Sequence, residues 1–121
     1  MKFIALIYGD ETTFETLPAE ERSELYERYM TVGNDMREAG VYVDANQLSA
    51  TRDATSVRVR EAETLVVDGP YAEVKEALGG YYLLECDSME AALDWAARIP
   101  AAETGAVEVR PVYVDPEEEQ L

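Results

Sequence analysis

The sequence predicts an α+β domain of the ferredoxin-like kind: a βαββαβ chain with a β-hairpin inserted before its third core strand. Three observations lead there. The segments KFIALIY (2–8) and GYYLLEC (80–86) are apolar on both parities, as strands covered on two faces are. A helical pattern follows each of them, and the stretch between the two halves alternates as a hairpin does. A chain of 121 residues has room for one domain, read as 1–115 with an acidic tail over 116–121.

The elements follow in order. Strand one covers 2–8, and GDETTFETL reads as a polar connection. Pro18 suits a first helical position, with Glu20 and Glu21 near the amide-rich helix start. Leu25, Tyr29, Val32 and Met36 then recur at spacings of four, three and four, one apolar stripe, and Gly40 is a left-handed stop. VYVDANQL reads as a second strand. In ATSVRVREAETLVVDGP, Val57 and Val59 alternate with arginines, the chain turns near Glu61 to Glu63, and it returns through Leu65 to Val67. After GYYLLEC, Asp87 and Glu90 make a capping-box-like start to a helix whose stripe is Met89, Leu93, Ala96 and Ile99, ended by Pro100. AVEVRPVYV is the last strand, whose Pro111 points to an edge position or a bulge.

Right-handed crossovers put both helices of this topology on one face of an antiparallel sheet. The other face still carries apolar residues from the two central strands, more than a soluble monomer leaves bare. A second copy of the same sheet is the economical cover, so the expected state is a homodimer packed face to face, a dimeric α+β barrel.

Charge narrows the partners. Against 10 basic residues stand 26 acidic ones, a net charge of −16, which disfavours nucleic acid and anionic membranes. The acidity reads as a solvated surface, with adaptation to high salt as the sharper alternative. The opening MKFIALIY is short for a signal peptide and runs into Asp10 and Glu11, and no stretch has membrane-spanning length, so the expected location is the cytoplasm. Cys86 is single and has no histidine to activate it, since the chain contains none, and reads as a small core residue. Neither a phosphate-cradling glycine loop nor a nucleophile elbow occurs, and the acidic runs lack a coordination-loop pattern, so neither a cofactor nor a metal is expected.

The chemistry-bearing stretch is DGPYAEVKEALGGYYLLE (68–85). Turn chemistry accounts for Asp68, Gly69 and Pro70, and the Gly79-Gly80 pair for a close approach of two backbones. Tyr71, Glu73 and Lys75, with Tyr81 and Tyr82 after them, are left without a structural need. A loop anchored at both ends, on the rim of a dimeric barrel, is a wall for a small-molecule pocket. There Asp68 serves as a base or acceptor, Tyr71 as a donor and Lys75 as the cation for an anionic group. Tyr8 and Asp10, at the end of strand one, are a second candidate group, and Trp95 reads as packing.

DGPYAEVKEALGGYYLLECDSMEAALDWAARIP, with SVRVREAETLV before it, MKFIALIYGDE at the start and VEVRPV at the end, closely resembles the YCII-related family, specifically its DGPF-domain branch. The resemblance covers nearly the whole chain and implies a ferredoxin-like dimeric α+β barrel. It also implies a setting near extracytoplasmic-function sigma factors, beside or fused to which members of the branch are encountered. Some YCII relatives look like enzymes with a histidine–aspartate pair, which a chain without histidine does not carry. Tyr71 stands where the motif usually has phenylalanine. Two functions are therefore expected: a dimeric ligand-binding protein, or a small cofactor-independent lyase, hydrolase or isomerase using Asp68, Tyr71 and Lys75.

Overall fold

In the computed structural model, which describes residues 1–119, four strands form an antiparallel sheet in the order β2-β5-β1-β6. They are β1 (Lys2–Gly9), β2 (Tyr42–Gln47), β5 (Ala77–Glu85) and β6 (Ala106–Pro111). β3 (Thr55–Arg60) and β4 (Glu63–Asp68) make a separate two-stranded hairpin. The order, with a helix between β1 and β2 and another between β5 and β6, is that of a ferredoxin-like α+β fold, as the sequence predicts.

The doubly apolar strands occupy the centre. β1 pairs with β5 from Lys2 opposite Glu85 to Gly9 opposite Ala77, with one irregularity between Ile7 and Tyr8. One face holds Phe3, Ala5, Tyr82 and Leu84, buried together with Val32 and Met36 of α2 (Ala19–Glu38) and Ala92 of α3 (Met89–Ala96). Ile99 completes this core, and Val107 and Val109 of β6 pack against it. Both main helices thus cover the same face. At about 25 cal/mol per Å2 of apolar surface, each fully buried large side chain such as Phe3, Met36, Leu84 or Ile99 contributes about 2 kcal/mol.

Several local expectations are corrected. The connection after β1 contains a short helix, α1 (Glu11–Glu15), because Asp10 caps it: its Oδ1 accepts from the Thr12 amide at 3.0 Å and the Thr12 hydroxyl at 2.6 Å. Pro18 stands just before the first helical residue of α2, not within it. Ser88, not Asp87, caps α3, its Oγ accepting from the Ala91 amide at 3.1 Å. Of the expected stripe, Ala96 and Ile99 are buried, joined by Ala92, while Met89 and Leu93 face outward. α3 ends at Ala96, and Pro100 starts a further short helix, α4 (Ala101–Thr104). β5 begins at Ala77, three residues earlier than expected. In the tail Pro116–Glu119 form α5, and 120–121 lie outside the described residues.

The expected stop at Gly40 holds, with φ at +75°, and β6 is an edge strand as Pro111 implied. The close approach expected at the glycine pair belongs to Gly80, where a Cβ would stand 2.8 Å from the Asn46 carbonyl oxygen; beside Gly79 there is room.

Candidate functional site

One end of the sheet gathers most of the chemistry. β1 finishes there at Gly9, β5 begins at Ala77, and the loop 69–76 joins the hairpin to β5. α1 is fastened to the hairpin's base through the turn Thr51–Asp53: Glu11 accepts from the Thr51 amide and hydroxyl, each at 2.7 Å, and Arg52 reaches Glu15 at 2.6 Å. Gly69, at φ +109°, donates its amide to the Ala54 carbonyl at 2.7 Å, and its own carbonyl accepts from the Ser56 hydroxyl at 2.8 Å. The Asp68-Gly69-Pro70 turn is thereby tied back to the start of β3. Between the loop and the Thr51–Asp53 turn lies a depression of about 250 Å3, lined by Thr51, Arg52, Gly69, Pro70, Glu73 and Val74 among others.

The expected site residues fall into four places. Asp10 follows the end of β1 and Lys75 lies in the loop 69–76; hydrogen bonds from Thr12 above all, with a lesser pull from the charge of Lys75, hold the Asp10 carboxyl below its usual range. Asp68 is exposed at the end of β4, and Tyr71, 76% exposed, lies under the Arg58 guanidinium at 4.6 Å. Tyr8 and Tyr81 are half-buried on the sheet face away from the helices. Tyr82 is in the core, where burial pushes its hydroxyl up to about 12, so it shares no surface with Tyr81. Asp68, Tyr71 and Lys75 are all exposed, and the described residues do not enclose them in one cavity.

The helix-free face holds a group that the sequence reading did not single out. Reading across the pairings, one row runs Asp44, Leu83, Ile4, Arg110 and the next Asn46, Tyr81, Leu6, Glu108. The centre is apolar and both edges are polar. The Tyr81 hydroxyl donates to Asp44 Oδ2 at 3.1 Å and accepts from Asn46 Nδ2 at 2.9 Å, which fixes its direction. The signal was present in YVDANQ, where Asp44 and Asn46 alternate with apolar residues on one parity. Cys86 is buried, as expected, and burial raises its thiol. Among the described residues no cluster of acidic or cysteine side chains suits a metal ion, and no helix is long and apolar enough to cross a membrane.

Comparison with known proteins agrees with this architecture. A protein of Rhizobium meliloti (strain 1021), itself described as uncharacterised, is 37% identical over 114 residues, covering 93% of this chain and 92% of its own length. The model of the YCII-related domain matches residues 1–115. A nearly full-length match to that domain, on a β2-β5-β1-β6 sheet with both main helices on one side, makes this chain a member of the YCII-related family.

Proposed function

We propose that this protein is a dimeric member of the DGPF branch that binds a small organic anion at the sheet end where loop 69–76 meets Asp10 and the Thr51–Asp53 turn. The observation that carries the reading is Lys75, an exposed cation beside Asp10 that has no salt-bridge partner among the described residues of a chain of net charge −16. Val74, next to Lys75 in the chain, lines the depression of about 250 Å3 together with Arg52, and a lysine next to such a depression suits a compact carboxylate. The loop's attachment at both ends keeps that geometry ready without a ligand.

Binding is favoured over catalysis, because Asp68 and Tyr71, the partners a reaction would need beside Lys75, face solvent on the hairpin's exit. A dimer covering the helix-free face, a cytoplasmic location and a regulatory setting near a sigma factor complete the proposal. A thermal-shift screen of small mono- and dicarboxylates tests it. Stabilisation of the wild type by one of these acids, lost in Lys75→Ala, is the expected result. Equal shifts in both proteins would remove Lys75 from the site, and a flat response across the panel would count against an anionic ligand.

A further inference from the structure

The helix-free face carries a charge pattern that specifies how a second copy would sit on it. Every arginine but one has a partner within the chain. Arg28, Arg52 and Arg98 are paired with Glu103, Glu15 and Asp35, Arg37 and Arg58 lie over Tyr42 and Tyr71, and Arg22 and Arg60 donate to backbone carbonyls. Arg110 alone has none among the described residues, and it stands exposed on the edge strand β6 at the end of the Asp44-Leu83-Ile4 row. At the other end of that row, Asp44 holds the Tyr81 hydroxyl through one oxygen and has no ion-pair partner among the described residues. The next row repeats the arrangement, with Glu108 at the β6 edge and Asn46, which has a second amide hydrogen to give, at the β2 edge.

We infer that two copies pack through this face about a two-fold axis that runs along the strands, so that Asp44 of each copy pairs with Arg110 of the other and Asn46 meets the other's Glu108. This rests on the dimer proposed above and adds its orientation and its pairing. An axis along the strands exchanges left and right across the sheet but keeps the rows level, so each row meets its own reverse. Ile4, Leu6, Leu83 and Tyr81 then stack at the centre, and the acidic end of one row faces the basic end of the other. Sheets packed face to face lie about 10 Å apart, a gap that an arginine and an aspartate side chain span together. The same axis sets each exposed edge, β2 or β6, beside the opposite edge of the second copy. An axis across the strands would stack β2 on β2 and β6 on β6, pair Arg110 with Glu108 and leave the Asp44 carboxylate facing an amide.

Charge reversal separates these arrangements. Asp44→Arg and Arg110→Asp each place like charges together twice in their own dimers and are expected to raise the dimer Kd by about tenfold or more in sedimentation equilibrium. Mixed in equal amounts, the two variants restore both pairs within one heterodimer, and the Kd is expected to return to near the wild-type value. If the wild type is a dimer and the mixture is no tighter than the separate variants, the pairing and the axis are wrong while the dimer stands. A wild type that stays monomeric at micromolar concentration overturns the dimer itself. Both positions are exposed on edge strands, so both reversals are expected to fold; should either not, Asp44→Asn and Arg110→Gln are used, and the two losses must be non-additive in the double variant for the inference to survive.

Discussion

At the scale of single residues, the neighbouring tyrosines 81 and 82 illustrate what strand parity does. One hydroxyl is held by Asp44 and Asn46 on the helix-free face, and the other lies in the core, beside Tyr29 and Tyr42. Burial pushes Tyr82 up to about 12, well above the ordinary value of about 10, so the folded protein keeps this hydroxyl neutral where the unfolded chain would ionise it. A raised value means that the contribution is complete below about pH 10 and is lost as the pH rises towards 12. No described side chain or backbone group hydrogen-bonds the Tyr82 hydroxyl, so Tyr82→Phe should be nearly neutral at pH 7 and should flatten the alkaline loss of stability, by at most about 2 kcal/mol at pH 12. Urea midpoints between pH 9 and 12 check this; identical alkaline slopes in both proteins would show that Tyr82 ionises as freely folded as unfolded. Glycines make a related point about legibility. Gly80, in a conspicuous GG pair, announces its close approach in the sequence. Gly105 does not, although a Cβ there would stand 2.1 Å from the Tyr8 carbonyl oxygen, because the crowding arises from a strand crossing next to it after folding.

Among the elements, the hairpin is the least supported. Both of its faces are open, with Val57 on one and Val67 on the other each 64% exposed, and a two-stranded ribbon alone is marginal in water. Its turn adds strain. Arg60 pairs with Glu63, leaving Glu61 at φ 51° and Ala62 at φ 64° as a two-residue loop, a conformation that asparagine and glycine adopt far more readily. Ala62→Gly should therefore stabilise the hairpin by about 0.5–1 kcal/mol, seen as roughly two- to fivefold slower hydrogen exchange of the β3 and β4 amides that exchange by local opening. Unchanged rates would mean that the turn costs nothing. The sequence announced this hairpin through alternation, and announced β1 and β5 through apolar residues on both parities. Its failures are also physical. α1 exists because Asp10 meets Thr12 two residues on, a local cap too short to leave any periodic signal. On α3 the expected stripe holds at Ala96 and Ile99 but not at Met89 and Leu93, because Ala92, small enough to sit against the sheet, takes the core side in place of the larger pair. In the candidate site, the turn at Gly69 was legible from residue type, whereas Glu11 gripping Thr51 across 40 residues depends on the tertiary fold.

For the whole molecule, a net charge of −16 on 121 residues and an apolar sheet face pull assembly in opposite directions. In the proposed dimer, two copies brought together would repel as bodies, while the packing of Ile4, Leu6 and Leu83 and the paired edges would attract at short range. Salt distinguishes these contributions by distance. The screening length is about 10 Å at 0.1 M and about 3 Å at 1 M, so added salt removes the repulsion between remote acidic surfaces much more completely than a contact between Asp44 and Arg110 flanked by apolar side chains. Apolar attraction is unaffected at this level and strengthens in salting-out conditions. The proposed dimer is therefore expected to tighten as sodium chloride rises from about 0.1 M to about 1 M, and the melting midpoint to rise with it, since each folded copy also repels itself. Sedimentation equilibrium and thermal melts over that range measure both. A dimer that loosens with salt would mean that exposed ion pairs, rather than the apolar face, hold the copies together. A constant melting midpoint would mean that the acidic residues are far enough apart not to burden the fold, which would also dispose of high-salt adaptation as the reason for them.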